Sequence, residues 1–121
     1  MAFQISARQF NDVTILDLRG SLLGGEGERL RVLSKSLVDI FPCKLVLNLA
    51  GLRRIDSSGI CVVVQAHLSL RKRGGNLTLI TPRGQARDTL MVLHLLEIIP
   101  TFESEAQALA SFRLKEDGAS A

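Results

Sequence analysis

Apolar and polar positions alternate near the start of the chain in a way that predicts strands. Phe3, Ile5 and Ala7 alternate with polar residues, which indicates a half-buried strand, and the run VTILDLRG at 13–20 indicates a second one. A turn at 10–12 separates the two runs, so we expect them to pair as an antiparallel hairpin. Further strands are predicted at 45–49 and 76–80, with a short strand or turn at 97–102.

Helical periodicity is found between these strands. Leu30, Leu33, Leu37 and Ile40 recur at spacings of three and four, which predicts an amphipathic helix, and Pro42 is expected to stop it. The predicted helices span 26–40, 57–73, 81–95 and 103–112. A Gly-Gly pair is expected to stop the second, and the third is expected to begin with Thr81 as cap and Pro82 as first helical residue. A glycine-rich loop is predicted at 21–27 and a connector at 51–55.

The order of these elements is typical of an α/β domain. The strand at 45–49 is apolar on both faces, as strands inside a helix-covered parallel sheet are. Alternating strands and helices imply a largely parallel sheet. We therefore predict a single-domain layer sandwich with a mostly parallel sheet, an N-terminal antiparallel hairpin and helices packed on the sheet. The domain is expected to cover 1–114, and 115–121 to form a flexible C-terminal tail.

Composition narrows the function classes. The chain has 121 residues, 46% of them apolar, and lacks Trp and Tyr, so stacking on nucleic-acid bases is disfavoured and no direct nucleic-acid binding is expected. The formal charge of +3 is scattered. No signal peptide and no apolar run of about 18 residues is present, which predicts a cytoplasmic protein without a membrane span. Cys43 and Cys61 match no metal spacing and are expected to be core residues.

The string IDSSG, where a buried strand gives way to a helix, is the strongest candidate site. Asp56 or Ser57 can serve as the N-cap, which needs only one such residue, whereas three polar residues are present. At least one hydroxyl is therefore left over at the carboxyl edge of a parallel sheet, where α/β domains place functional residues. A helix N-terminus also tolerates added negative charge, so a phosphorylated serine would be compatible with the fold.

Enzymatic and metal sites are not indicated. The serines lack the G-x-S-x-G context of a nucleophile elbow, and an adjacent Asp cannot orient a histidine toward the same hydroxyl. His67 and His94 are expected to be ordinary helix residues. The segment GGEGER lacks a P-loop ending and places acids where a phosphate would lie. We therefore expect no catalytic residue, no metal and no cofactor.

The chain nevertheless resembles a known family. The strings LVLNLAGLRRIDSSGI, RKRGG, TPRGQAR and FESEAQAL follow one another as in the bacterial STAS domain, in particular the anti-sigma factor antagonists, and VTILDLRGSL resembles the second strand of that family. The similarity covers about residues 3–113. It implies a STAS-like sandwich and a protein that is not an enzyme.

The resemblance also implies a mechanism. Unphosphorylated members bind an anti-sigma factor that is itself a serine kinase, which releases a sigma factor, and a phosphoserine phosphatase restores this state after phosphorylation. By resemblance, Ser57 is the phosphorylation site, Asp56 fixes the loop and helix start, Ser58 is a hydroxyl that can cap, and Gly59 keeps the loop open for a kinase. Ile60, Arg83 and Arg87 are expected at the partner surface.

Other functions stay open at this point. The same domain occurs as a scaffold or adaptor of signalling or transport complexes whose serine is not modified, and a nucleotide-binding STAS module is a further alternative. Kinase binding that responds to changes at Ser57 would favour the phosphorylation switch, and saturable nucleotide binding would favour the nucleotide-binding module. The protein is expected to be a monomer or weak dimer.

Overall fold

The computed structural model describes residues 3–38 and 44–120, with side chains for 3–37 and 44–112. In chain order the elements are β1 (Gln4–Phe10), β2 (Val13–Leu22), α1 (Glu26–Val38), β3 (Lys44–Ile55), α2 (Ser57–Lys72), β4 (Asn76–Ile80), α3 (Gly84–Val92), α4 (Leu95–Ile98), β5 (Thr101–Phe102) and α5 (Glu105–Ser120).

The strands form one sheet in the order β1-β2-β3-β4-β5. β1 pairs antiparallel with β2, and every other neighbouring pair is parallel. The predicted fold class is therefore confirmed, including the N-terminal hairpin and the parallel sheet.

Both faces of the sheet are covered, which explains why its central strands carry apolar residues on both faces. On one face, Leu16, Leu47 and Leu79 belong to a core that also contains buried residues of α1, α2 and α3. On the other face, Ile15 and Val46 pack with residues of α5. Neighbouring residues of a strand point to opposite faces, so a strand buried on both sides has no polar alternation.

Two predicted loops are shorter than expected, because the strand before each of them continues. β2 runs to Leu22, so the loop predicted at 21–27 is reduced to 23–25. The predicted connector at 51–55 is the last part of β3, which continues pairing with β2 through register shifts. Irregular pairing of this kind weakens the period-2 pattern from which a strand is predicted.

The segment after β4 also departs from the prediction. The N–H of Thr81 donates to the carbonyl of Phe102 at 2.9 Å, so Thr81 continues the sheet and is not a helix cap. The helix begins at Gly84, whose φ of +66° suits glycine, and Pro82 lies before it. His94 has a φ of +59° and divides the predicted helix into α3 and α4.

Other boundary and burial predictions have mixed outcomes. α5 runs to Ser120, beyond the predicted end at 112. Cys61 is exposed and not part of the core. The predicted helix end at Ile40, the stop at Pro42 and the burial of Cys43 fall outside the described residues. The domain boundary at 114 and the flexible tail stay predictions.

Candidate functional site

Asp56 is the N-cap of α2. Its backbone is extended, and its Oδ1 accepts a hydrogen bond from the N–H of Gly59 at 3.2 Å. Such a bond satisfies one of the four N–H groups that a helix leaves free at its start. Of the two residues that the sequence offered for this role, the structure therefore selects Asp56 and leaves the side chain of Ser57 out of the cap.

The second carboxylate oxygen of Asp56 fixes the loop between β2 and α1. Oδ2 accepts the N–H of Gly24 at 2.8 Å, and the N–H of Asp56 donates to the carbonyl of Leu22 at 3.3 Å. The N–H groups of Gly24 and Gly59 both stabilise the ionised carboxylate and lower the pKa of Asp56. Asp56 thus joins two segments that are 32 residues apart in sequence, which agrees with its expected role in fixing the loop and helix start.

Ser57 and Ser58 are exposed in the first turn of α2. Among the described residues, neither hydroxyl makes a side-chain hydrogen bond, so the capping role suggested for Ser58 is not observed. The backbone N–H of Ser58 instead contributes to the low pKa of Asp56. Ser57 is thus exposed to solvent, and its side chain takes no part in the hydrogen bonds that hold this part of the described structure together.

Gly59 has a packing role that the sequence did not reveal. A Cβ atom at this position would lie 2.7 Å from Cγ of Leu22 and 2.9 Å from Cγ1 of Ile55. These distances are shorter than any stable contact, so glycine allows α2 to begin directly against the ends of β2 and β3. Gly59 is buried, and the role expected for it in keeping the loop open for a kinase stays a prediction.

Gln85 is a positioning residue that sequence reasoning missed. Its side-chain oxygen accepts the N–H of Ile55 at 3.1 Å, and its Nε2 donates to the carbonyl of Ile55 at 3.4 Å. Nε2 also donates to Oγ1 of Thr89 at 2.9 Å. The side chain therefore holds the backbone immediately before Asp56. The only sequence signal is a glutamine in the first turn of the helix after β4.

One side of α2 remains exposed along its length. Ser57, Cys61, Val64 and Leu68 follow one another at spacings of three and four, so they form a single row, here called the α2 stripe. Leu68 is 54% exposed, and Val64 is partly buried. Val62 and Val63 are buried, whereas Ser58, Gln65 and Ser69 are exposed beside the α2 stripe.

The other residues expected at a partner surface differ in accessibility. Ile60 is partly buried and packs against the core. Arg83 is exposed immediately before α3. Arg87 is less available, because its guanidinium lies 3.8 Å from the carboxylate of Glu103. Arg83 is therefore the more accessible of the two arginines.

The histidines do not assemble with the serines. His67 is buried and lies ten residues after Ser57 on the same helix, about 15 Å along its axis. His94 is exposed, and its Nδ1 lies 3.3 Å from the carboxylate of Glu97.

The described part of the chain contains neither a cluster of metal-ligating residues nor a helix able to span a membrane. Across 3–38 and 44–120, no three His, Cys, Asp or Glu residues come together as metal ligands. Across the same residues, no helix has both the length and the hydrophobicity needed to cross a bilayer.

Comparisons with known proteins agree with this geometry. A sequence profile of the STAS domain matches residues 4–108. The anti-sigma F factor antagonist of Paenibacillus polymyxa is 24% identical over 115 residues, which cover 94% of this chain and 98% of that protein.

Solved structures share the fold. An anti-sigma factor antagonist from Mycobacterium paratuberculosis has a TM-score of 0.81 at 19% identity, covering 93% of this chain and 95% of that one. The anti-sigma factor antagonist SpoIIAA in its unphosphorylated form has a TM-score of 0.73 at 20% identity, covering 93% and 98%. SpoIIAA from Bacillus in its phosphorylated form has a TM-score of 0.70 at 20% identity, covering 92% and 99%. Because the profile spans most of the chain and these structures share its architecture, the protein belongs to the STAS domain family.

Proposed function

We propose that the protein is an anti-sigma factor antagonist whose binding to an anti-sigma factor is switched by phosphorylation of Ser57. The observation that carries the proposal is the exposed Ser57 hydroxyl, which makes no hydrogen bond within the described residues and lies in the first turn of α2. The names of relatives, and the existence of SpoIIAA in a phosphorylated form, support the same assignment.

The helix start accommodates a phosphate without refolding. A phosphoserine carries about −1.5 to −2 charges near neutral pH, and the free N–H groups at a helix N-terminus stabilise negative charge. Asp56 is the nearest acid in the sequence, but N–H donors from Gly24 and Gly59 already hold its carboxylate. Ser57 is exposed, so the added charge also acts on whatever contacts this end of α2.

The partner in this proposal binds the α2 stripe together with Arg83. The stripe begins at Ser57 and ends at Leu68, so a protein docked along it covers the serine. One partner carboxylate about 4 Å from the phosphate would cost up to ~4 kcal/mol per unit charge at an effective dielectric constant of about 20. Reversing a binding equilibrium from 1:99 to 99:1 takes about 5.5 kcal/mol. A phosphate and the contacts that it displaces are sufficient for this change.

The proposal assigns no catalytic role to the protein. The anti-sigma factor acts as the serine kinase, and a separate phosphatase removes the phosphate. Both enzymes are part of the proposal.

Phosphorylation in vitro tests this function. The protein is incubated with candidate serine-kinase anti-sigma factors from the same genome and Mg-ATP, and intact-mass and fragment analysis then locate any phosphate. The expected result is one phosphoryl group on Ser57 in the wild type and in Ser58→Ala, and none in Ser57→Ala. Modification of Ser58 alone would contradict a switch at Ser57, and no modification by any candidate would favour a scaffold whose serine is not modified.

A further inference from the structure

Three exposed arginines lie at the edge of the sheet where α2 begins. Arg53 and Arg54 are the residues of β3 immediately before Ile55, and Arg83 immediately precedes α3. The side chain of Gln85 accepts the N–H of Ile55 at 3.1 Å and so fixes the start of α3 against the end of β3. The three arginines, here called the arginine edge, therefore have well-defined backbone positions beside the candidate site.

Arg53 and Arg83 line the same open groove, which has a volume of about 410 Å³. A Cβ atom added at Gly51 in this groove would lie 2.9 Å from Cγ of Arg19, so the exposed side chain of Arg19 lies beside it. Small residues form most of the remaining lining, which allows another chain to approach closely. These remaining residues are Ala50, Gly51, Leu52 and Gly84.

The positive charge of the arginine edge is not paired within the described structure. Arg53, Arg54 and Arg83 make no ion pair and no side-chain hydrogen bond with the described residues, and no acid lines the groove. The nearest acid in the sequence, Asp56, accepts two backbone N–H groups instead. Ion pairs with carboxylates are made elsewhere in the chain by Arg8, Arg29, Arg31 and Arg87.

Unpaired guanidinium groups held at one edge favour contact with carboxylates. A guanidinium is planar and weakly hydrated, and it binds a carboxylate through two parallel hydrogen bonds. Like charges that lie close together repel, and a facing set of acids removes this repulsion. Arg54 is not among the groove's lining residues, so the charge extends beyond the groove. This spread matches an extended acidic segment better than one small anion.

We propose that the arginine edge docks an acidic segment of the anti-sigma factor. The inference rests on the proposed function, since it names the chemistry by which that partner is recognised. Arg54 lies three residues before Ser57 in the sequence, so a segment on the arginine edge holds its protein beside the serine. Exposed charges of this kind mainly accelerate association and orient the partner. The α2 stripe then supplies the apolar contacts.

Two double variants test the arginine edge. The groove variant combines Arg53→Gln with Arg83→Gln. The control variant combines Arg71→Gln with Lys72→Gln and removes two exposed charges about 21 Å along α2 from Ser57. Surface plasmon resonance measures binding of each protein to the anti-sigma factor at low and at high sodium chloride concentration.

The groove variant is expected to bind about fivefold to tenfold more weakly than the wild type at low salt, chiefly through slower association. The difference should shrink at high salt, because salt screens exposed charges. The control variant should bind like the wild type. The groove variant should keep the melting temperature of the wild type, since neither arginine makes an ion pair within the described residues.

The outcomes separate this inference from the proposed function. Equal affinities of the groove and control variants, with a wild type that binds and responds to phosphorylation of Ser57, would overturn the arginine edge alone. Failure of every candidate anti-sigma factor to bind the wild type would overturn both. Binding to phosphatidylglycerol vesicles that only the groove variant loses would assign the arginines to a membrane surface and also overturn the proposal.

Discussion

The carboxylate of Asp56 accepts the backbone N–H of Gly24 at 2.8 Å and so joins the loop after β2 to the start of α2. The same side chain caps α2 through Gly59. One residue therefore fixes the position from which the Ser57 hydroxyl points into solvent. The geometry of the proposed phosphorylation site depends on an acid that need not itself contact a partner.

Replacing Asp56 should destabilise the domain. Asp56→Ala removes the cap and the bond to Gly24, and we expect the free energy of unfolding to fall by about 1–2 kcal/mol. Asp56→Asn should cost less, since Asn is also a good N-cap. Urea unfolding monitored by circular dichroism measures both. Asp88→Ala, which changes an exposed acid of α3, is the control, and an Asp56→Ala protein as stable as this control would refute the structural role.

Adding a methyl group at position 59 should disturb the packing of α2 on the sheet. Gly59→Ala places a Cβ within 3 Å of both Leu22 and Ile55, and overpacking of this kind costs about 1–3 kcal/mol. Gly25→Ala is the matched control, because a Cβ there would meet nothing within 4 Å. Thermal unfolding compares the two proteins, and equal melting temperatures would show that the contact is absent in solution.

Stability should also fall in acid through Asp17. Arg8 donates to this buried carboxylate at 2.6 Å and Asn48 donates to it at 2.7 Å, so the pKa of Asp17 lies below its ordinary value of 3.8. A lowered pKa gives stability that is complete above the unfolded value and is lost as the pH falls through the folded value.

The variant Asp17→Asn isolates this effect. At neutral pH we expect it to be about 1–2 kcal/mol less stable than the wild type, because charge-assisted hydrogen bonds are lost. The difference should shrink as the pH falls below about 3.8. Urea unfolding across this pH range provides the measurement. A difference that stays constant with pH would mean that ionisation of Asp17 is not the cause.

The core fold could be predicted because burial dictates the sequence pattern. Strands such as 45–49 are apolar on both faces only where helices cover both faces, and Gly74-Gly75 closes α2 as glycine usually does. The last residues of β3 could not be predicted, because 51–55 pairs with β2 through register shifts that interrupt the alternation of apolar and polar residues. Thr81-Pro82 has the composition of a helix start, but a tertiary hydrogen bond from Thr81 to Phe102 keeps it extended.

The position of IDSSG at the start of a helix could be predicted, but the contacts around it could not. IDSSG identified the serines, because too many polar residues stood at one helix start for capping alone. The role of Gly59 depends on side chains of β2 and β3, and that of Gln85 on a bond to a residue 30 positions away. Contacts across such distances leave no periodic trace in a single sequence.

The α2 stripe should carry affinity for the anti-sigma factor. Leu68→Ala is expected to weaken binding about fivefold to tenfold, equivalent to ~1 kcal/mol, because part of an exposed leucine is buried by the partner. Val32→Ala on α1 is a suitable control, since Val32 is similarly exposed at 56% but lies on another helix. Isothermal titration calorimetry measures both, and equal effects would place the partner elsewhere.

The affinity of the anti-sigma factor for the unphosphorylated and the Ser57-phosphorylated protein tests the proposed switch most directly. We expect a loss of at least 100-fold on phosphorylation with an unchanged far-ultraviolet circular dichroism spectrum, full binding by Ser57→Ala and Ser58→Ala, and weakened binding by Ser57→Asp. Equal affinity of the phosphorylated and unphosphorylated forms would contradict a switch at Ser57.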